Sequence, residues 1–375
     1  MDKSIVVIGG GIVGVCAALE LQRTGNNVTL IDRKEPGRET SYGNAGVLSE
    51  SSVMVINNPS LLKSLPKYLL NNRNDLRYNF LFVLRNLPKM LRFLSFCTTR
   101  HMNHAGEALR SMLLLSLAKH KKWIKASKMD HVLKSEGGWL KLFRSKKTYK
   151  KYQLELDLMK KLNVKFTVFD KEQIRQIEPG LSPIYEKAVL MDETSRISNP
   201  AALTDAYVKM FLDSGGIVVK DDVQSLEQPE TIWKIKTAKS QFTADHVVLA
   251  AGGWSEEIAK WIGYNVPLFW ERGYHIHLQP SEAPTLNRTV NDVDGGFIMA
   301  PMEQGVRITS GVEVTSRDAE PNYSQIRESV KRARDVYKMG DEIEEVPWMG
   351  RRPTLIGSLP IVGAAPKHTG LWFNF

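Results

Sequence analysis

Three glycines and one acid near the start of the chain, Gly9, Gly11, Gly14 and Asp32, have the types and spacing to hold a dinucleotide. Gly9 permits a tight turn, Gly11 lets backbone approach a pyrophosphate, and Gly14 lets a following helix press close on a sheet. The phosphates then meet the unpaired N–H groups of the helix N-terminus. A carboxylate about 20 residues further on accepts hydrogen bonds from ribose hydroxyls. The elements that must position these groups occur in order: a buried-strand run from Ile5 to Ile8, the glycines, a helical stretch, a Gly25-Asn26-Asn27 turn, and a second strand, Val28 to Ile31, ending at the acid. This grammar leaves FAD and a nicotinamide nucleotide both open as the cofactor.

At 375 residues the chain has room for about two domains and a core that needs no disulfide or metal to hold it. Its two cysteines, Cys16 and Cys97, form no metal-spacing pair, so the expectation is a reduced compartment and no metal site. With a strand expected from the fourth residue, no leader peptide is expected ahead of it. The longest uncharged apolar runs, such as Asn79 to Leu84, fall far short of the roughly 20 residues a spanning helix needs. The expected location is the cytoplasm, free or peripheral at the inner face of the plasma membrane.

The net charge of +10 is concentrated, because residues 61–100 hold eight Lys or Arg against one acid, Asp75. Leu81, Leu84, Leu87, Leu91 and Leu94 recur there at helical spacing, and Pro88 suits the first turn of a restarted helix. Such a stretch reads either as a solvated surface helix pair or as a basic amphipathic element that meets an anionic membrane. Nucleic acid is not expected, since the aromatic residues do not alternate with the basic ones as a stacking platform requires.

Further along, Asn199 and Pro200 read as the N-cap and first turn of a helix from Ala201 to Leu212, and Ile217 to Val219 as a buried strand. A hairpin follows at Trp233–Thr237 and Gln241–Thr243. Asp245 to Ser255, DHVVLAAGGWS, then repeats the pattern of strand and small-residue turn. The predicted fold is α/β: a Rossmann-like domain split by insertions (residues 1–55, 195–255 and 346–375) and a second, mixed or antiparallel sheet-plus-helix domain (56–194 and 256–345).

Several motifs together resemble the FAD-dependent D-amino-acid oxidase superfamily, with closest similarity to bacterial D-amino-acid and D-hydroxyproline dehydrogenases. They are the opening βαβ segment, ETSYGNAG (Glu39–Gly46), SNPAAL (Ser198–Leu203), ADHVVLAAGGWS (Ala244–Ser255), ERGYH (Glu271–His275), ITSGVE (Ile308–Glu313) and WMGRRP (Trp348–Pro353). The resemblance implies noncovalent FAD, held by Gly9, Gly11, Gly14, Asp32 and Arg33, by Thr40, Ser41, Asn44, Ala45 and Gly46 on the flavin side, and by Val223, Ala251 and Gly252. It implies transfer of a hydride from the α-carbon of an amino acid to the flavin, giving an imino acid, with a quinone or oxygen as electron acceptor. A secondary-amine oxidase of the glycine or sarcosine kind is the alternative.

By the same resemblance Arg352 binds the substrate carboxylate, with Arg307 and Arg272 as weaker candidates, and Tyr274 and His275 lie on the substrate side. Alternation along a strand lets only one of Tyr274 and His275 face the flavin. Two departures from the family pattern stand out. RPTLIGSLP (Arg352–Pro360) carries Ile356 and Gly357 where relatives have Pro and Asp, and GLWFNF (Gly370–Phe375) is where relatives continue into a further loop and helix. The resulting expectation is a shortened, less stable chain with weak FAD retention, or an inactive family member.

Overall fold

The computed structural model describes residues 3–134, 137–281 and 284–375. The N-terminal strand Ser4–Ile8 sits inside a six-stranded sheet, pairing in parallel with Asn27–Asp32 on one side and His246–Leu249 on the other. Ile217–Lys220 extends the first edge, and Leu371–Asn374 followed by the antiparallel Val362–Ala364 completes the other. Both faces are covered, which explains the unbroken apolar run at the start of the chain. Ile5 and Val7 pack with the helices Ile12–Arg23 and Pro200–Asp213, whereas Val6 and Ile8 pack with Trp233 and Ile235 of the antiparallel strands Val223–Glu227, Trp233–Thr237 and Gln241–Ala244. Asn199 caps its helix as expected, its Oδ1 accepting from the Ala202 N–H at 3.0 Å with Pro200 in the first turn.

A second, larger mixed sheet is organised by the 13-residue strand Leu268–Pro280. Tyr274, Ile276 and Leu278 point from it into a core closed by Ile326, Val330 and Ala333 of the helix Ser324–Arg334. The 28-residue helix Thr99–Ala126 ties the two bodies together, burying Trp123 and Ile124 under the nucleotide-type sheet and Met102 in a second-domain cluster. One segment lies elsewhere than expected: Trp348–Leu355 pairs along Leu268–His275, so it belongs to the second sheet and not to the first, which resumes only at Val362. Nothing in its apolar pattern distinguishes the two sheets, and only the pairing partner does.

Candidate active site

Beyond the C-terminal ends of the parallel strands lies a cleft of about 720 Å³, the position at which open α/β sheets take ligands. Gly9 forms its floor with φ +109°, and a Cβ there would lie 2.4 Å from the Ala250 carbonyl oxygen. Gly14 lies outside the lining, where a Cβ would fall 1.8 Å from the Gly9 carbonyl oxygen, so its absence sets the closeness of helix and strand. Asp32 ends its strand at the cleft and accepts from the N–H of Gly10 at 2.6 Å and of Lys34 at 2.8 Å. Burial raises its pKa, against the pull of those two hydrogen bonds.

The segment after Asp32 is shaped by its own polar side chains. Ser41 Oγ accepts from the Ile12 N–H at 2.9 Å, and Thr40 Oγ1 donates to the Arg351 carbonyl at 2.8 Å. Asn44 accepts from the Gly46 N–H at 2.7 Å and donates to the Ser41 carbonyl at 2.7 Å, a local turn that holds Gly46 at φ +65°. Thr40, Ser41 and Asn44 line the cleft together with Arg33, Val223, Ala251 and Gly252. Ala45 and Gly46 do not; Gly46 instead presses on Ile197, whose carbonyl oxygen a Cβ would meet at 2.1 Å.

Sequence reasoning missed the rim. The Trp254 indole lies beneath the guanidinium of Arg33 at 3.8 Å, with those of Arg317 at 5.5 Å and Arg351 at 6.0 Å. Arg317 also pairs with Glu257 at 2.9 Å, on the helix Ser255–Trp261 that follows Trp254, which fixes it at the cleft mouth. Trp254 stood in a recognised motif, but Arg317 carries no sequence signal because the contact exists only after the domains meet.

Beside the cleft, cross-strand pairs of the second sheet put a row of residues on one face: Arg352 opposite Glu271, Gly350 opposite Gly273, Trp348 opposite His275, and Arg307 opposite His277. The glycines make the space. A Cβ on Gly273 would lie 2.8 Å from an Arg352 guanidinium nitrogen, and one on Gly43 would lie 1.8 Å from the Trp348 ring. Trp348 stacks on His275 at 4.8 Å between ring centroids. Arg352 is exposed and forms no hydrogen bond or ion pair among the described residues, although its charge offsets part of the burial that raises the Glu271 pKa. Arg351, one residue away, points to the other side, so the two adjacent arginines serve different places.

Tyr274, Arg272 and Arg307 are placed differently from expectation. Strand alternation turns Tyr274 and Arg272 to the opposite face, where the Tyr274 hydroxyl donates to Glu313 and Arg272 pairs with the same carboxylate at 3.0 Å. Arg307 is buried and occupied. It donates to the carbonyls of Tyr42 at 3.0 Å and Asn44 at 2.6 Å, and its Nε donates to His277 Nε2 at 2.9 Å. Since Arg only donates, His277 carries its proton on Nδ1, which donates to Glu344. Arg307 is therefore a clamp on the loop that follows the first acid.

Replacing Arg307 by Lys keeps the charge and three N–H groups, but on a single nitrogen that cannot span acceptors now reached from two nitrogens of a planar guanidinium. The expected result is a 10- to 100-fold rise in the FAD dissociation constant, about 1.5 to 3 kcal/mol, read by cofactor fluorescence. Glu344→Gln, one step further out, should move it only a few-fold, about 1 kcal/mol or less.

His275 is buried with an unpartnered Nδ1. Burial, then the charge of Arg307, lowers its pKa to about 2, so it stands here as a neutral imidazole. As pH falls below the unfolded value near 6.5, the unfolded chain takes up this proton and the folded one does not. The stability tied to a neutral His275 is complete above that pH and is lost toward the folded value, by at most about 1.4 kcal/mol per pH unit. Urea unfolding at pH 7.5 and pH 5 should show that His275→Asn flattens this acid slope.

A family profile described as FAD dependent oxidoreductase (DAO) matches residues 4–375. The chain belongs to that family. The oxidoreductase is 29% identical over 385 residues to a D-amino-acid oxidase of Bradyrhizobium diazoefficiens, covering 100% of this chain and 90% of that protein. It is 27% identical over 383 residues to D-amino acid dehydrogenase 2 of Mesorhizobium japonicum, covering 99% and 90%. Among solved structures, glycine oxidase from Geobacillus kaustophilus superposes with TM-score 0.73 at 18% identity over 99% of this chain and 89% of that one, which supports the fold. The cofactor is FAD, and the cleft suits it: a glycine cradle that any Cβ would fill at one end, a carboxylate at the C-terminal end of the neighbouring strand, and a polar loop leading toward the Arg352 face.

Proposed function

We propose that the oxidoreductase removes a hydride and a proton from a small D-amino acid, leaving an imino acid that water hydrolyses to a 2-oxo acid and ammonia. The observation that carries this reading is Arg352: an exposed guanidinium without a hydrogen-bond partner, on the same sheet face as a neutral imidazole, beside the FAD cleft. Its planar fork suits a bidentate carboxylate. Gly9, Gly11 and Asp32 hold the nucleotide end of the cofactor, and the Thr40–Asn44 loop, clamped by Arg307, sets its reactive end. When bound, FAD supplies the hydride acceptor.

The residues present account for the rest by orientation and proton placement. Arg352 fixes the carboxylate and hence which α-substituent faces the cleft. His275 stays uncharged and adds no positive charge against the amine, while Trp348 covers the floor above Gly350. The two electrons and two protons leave to dioxygen, giving hydrogen peroxide, or to a quinone, giving the quinol. Trp348 also supports a second reading, because an indole filling this floor favours small amines such as glycine or sarcosine.

A dye-reduction assay with D-alanine, D-proline, D-hydroxyproline, glycine and sarcosine, with L-enantiomers as controls, separates the two. Turnover of D-enantiomers with 2-oxo acid formation supports the first reading. Turnover of only the achiral amines would replace it.

A further inference from the structure

Residues 62–91 present large apolar side chains to solvent in a way the core does not explain. Leu69, Leu70, Phe80, Leu81, Leu84 and Leu91 are each exposed, Leu70 by 80% and Phe80 by 67%. Local hydrogen bonds tie together the segments that bear them. Tyr78 donates from its hydroxyl to the Tyr68 carbonyl at 3.1 Å, and Asn71 Nδ2 donates to the Tyr78 carbonyl at 2.7 Å. The turn bearing Leu69 and Leu70 is thereby fixed to the strand Leu76–Tyr78, which leads directly into the helix Phe80–Arg85.

The inward side of this surface is firmly seated. Phe93 packs edge-on against Phe269 at 5.3 Å, Phe82 lies 6.5 Å from Trp270, and Lys89 bonds Glu256 at 3.0 Å and the Leu268 carbonyl at 3.1 Å. The exposed leucines are therefore the outer side of helices whose inner side is already satisfied. A concentration of exposed large apolar side chains of this kind marks a contact face.

Its charge says what it contacts. Lys63, Lys67, Arg85 and Arg92 flank the leucines and form no ion pair among the described residues, whereas Arg73 is neutralised by Asp75. The short helix Lys146–Lys151, KKTYKK, joins the same field: Lys151 lies against Lys67, and their mutual repulsion lowers the Lys151 pKa. Two ammonium groups held together, offset only in part by the charge of Asp294, favour an anion. A second copy of the chain, itself carrying +10, would bring like charge onto this face.

We propose that this leucine-rich surface, with the lysines of residues 63–67 and 146–151 around it, docks the protein on an anionic lipid bilayer. No helix among the described residues is long and apolar enough to cross a membrane, so the contact is interfacial: leucine and Phe80 side chains enter the headgroup boundary while Lys and Arg meet lipid phosphates. The strand Leu268–Pro280, on which these helices sit, is the one that carries Glu271, Gly273 and His275. The proposal stands independently of the substrate reading.

Flotation with the intact FAD-loaded protein tests it, using vesicles of phosphatidylcholine alone or with phosphatidylglycerol. Binding is expected only with phosphatidylglycerol present, falling as salt rises. Lys67→Gln with Lys151→Gln should weaken it about 25-fold, from roughly fivefold per basic residue. Leu70→Glu with Leu81→Glu should abolish it, with unchanged FAD absorbance reporting an intact fold. No binding to phosphatidylglycerol vesicles at low salt would overturn the proposal, as would wild-type binding by both double variants, or a dimer in sedimentation that the leucine variant dissociates.

Discussion

Arg352→Ala is expected to lower kcat/KM for an amino-acid substrate by about 10²- to 10³-fold, since losing one partner of a desolvated charge pair costs about 3 to 4 kcal/mol. Because Arg352 is exposed and forms no hydrogen bond or ion pair among the described residues, its removal breaks no polar contact and only withdraws a charge that partly offsets the burial of Glu271, so the fold should be little affected. The loss should therefore appear in catalysis and not in melting temperature. Arg352→Lys keeps the charge without the fork and should recover about tenfold. An amine of similar size lacking a carboxylate should react equally slowly with all three proteins. Equal losses for both substrates would show that Arg352 supports the site without binding the carboxylate.

Gly14→Val should abolish FAD retention. The first side-chain carbon would stand 1.8 Å from the Gly9 carbonyl oxygen and 3.0 Å from its carbon, contacts that only separation of helix and strand can relieve. That separation moves the helix N-terminus away from the phosphates it should meet, at a cost of roughly 3 kcal/mol or more. The variant should purify colourless and melt below even the stripped wild type, because the clash is with backbone and persists without the cofactor. Gly25→Ala is the control. Its φ is +89° but nothing lies within 4 Å of the added carbon, so the cost is only the local strain of about 1 to 2 kcal/mol, and the protein should remain yellow.

The difference between these two glycines shows what a sequence makes legible. Gly9, Gly11 and Gly14 could be read in advance because a fixed local path of strand, turn and helix demands them, and Asp32 because the next strand of the same unit ends there. The same holds for Asn199 and Pro200, whose partners are their own helix. Arg351 and Arg352 show the limit. Alternation predicts that they diverge, but which one faces the cofactor cleft depends on the partner strand, Leu268–His275, more than 70 residues earlier in the chain.

The remaining differences have the same origin. Tyr274 was grouped with His275 by motif, yet the pleat sends its hydroxyl to Glu313 beneath the sheet. Arg307 is a candidate for the substrate carboxylate by motif, yet its strand pairs with the one carrying His277 and sets it against the Tyr42 and Asn44 carbonyls. The Arg33–Trp254–Arg317 cluster joins segments with no local relation. Side chains committed to local partners can be read from the order of residues, while those committed across the domain boundary cannot.

The anaerobic visible spectrum of the purified protein tests most directly whether an FAD cleft has a carboxylate-binding arginine beside it. Bound flavin absorbance that bleaches on adding D-alanine or D-proline, and does not bleach in Arg352→Ala at the same concentration, is the predicted result. Flavin that is present but bleached by no amino acid, or bleached equally in the wild type and the Arg352→Ala variant, would contradict it.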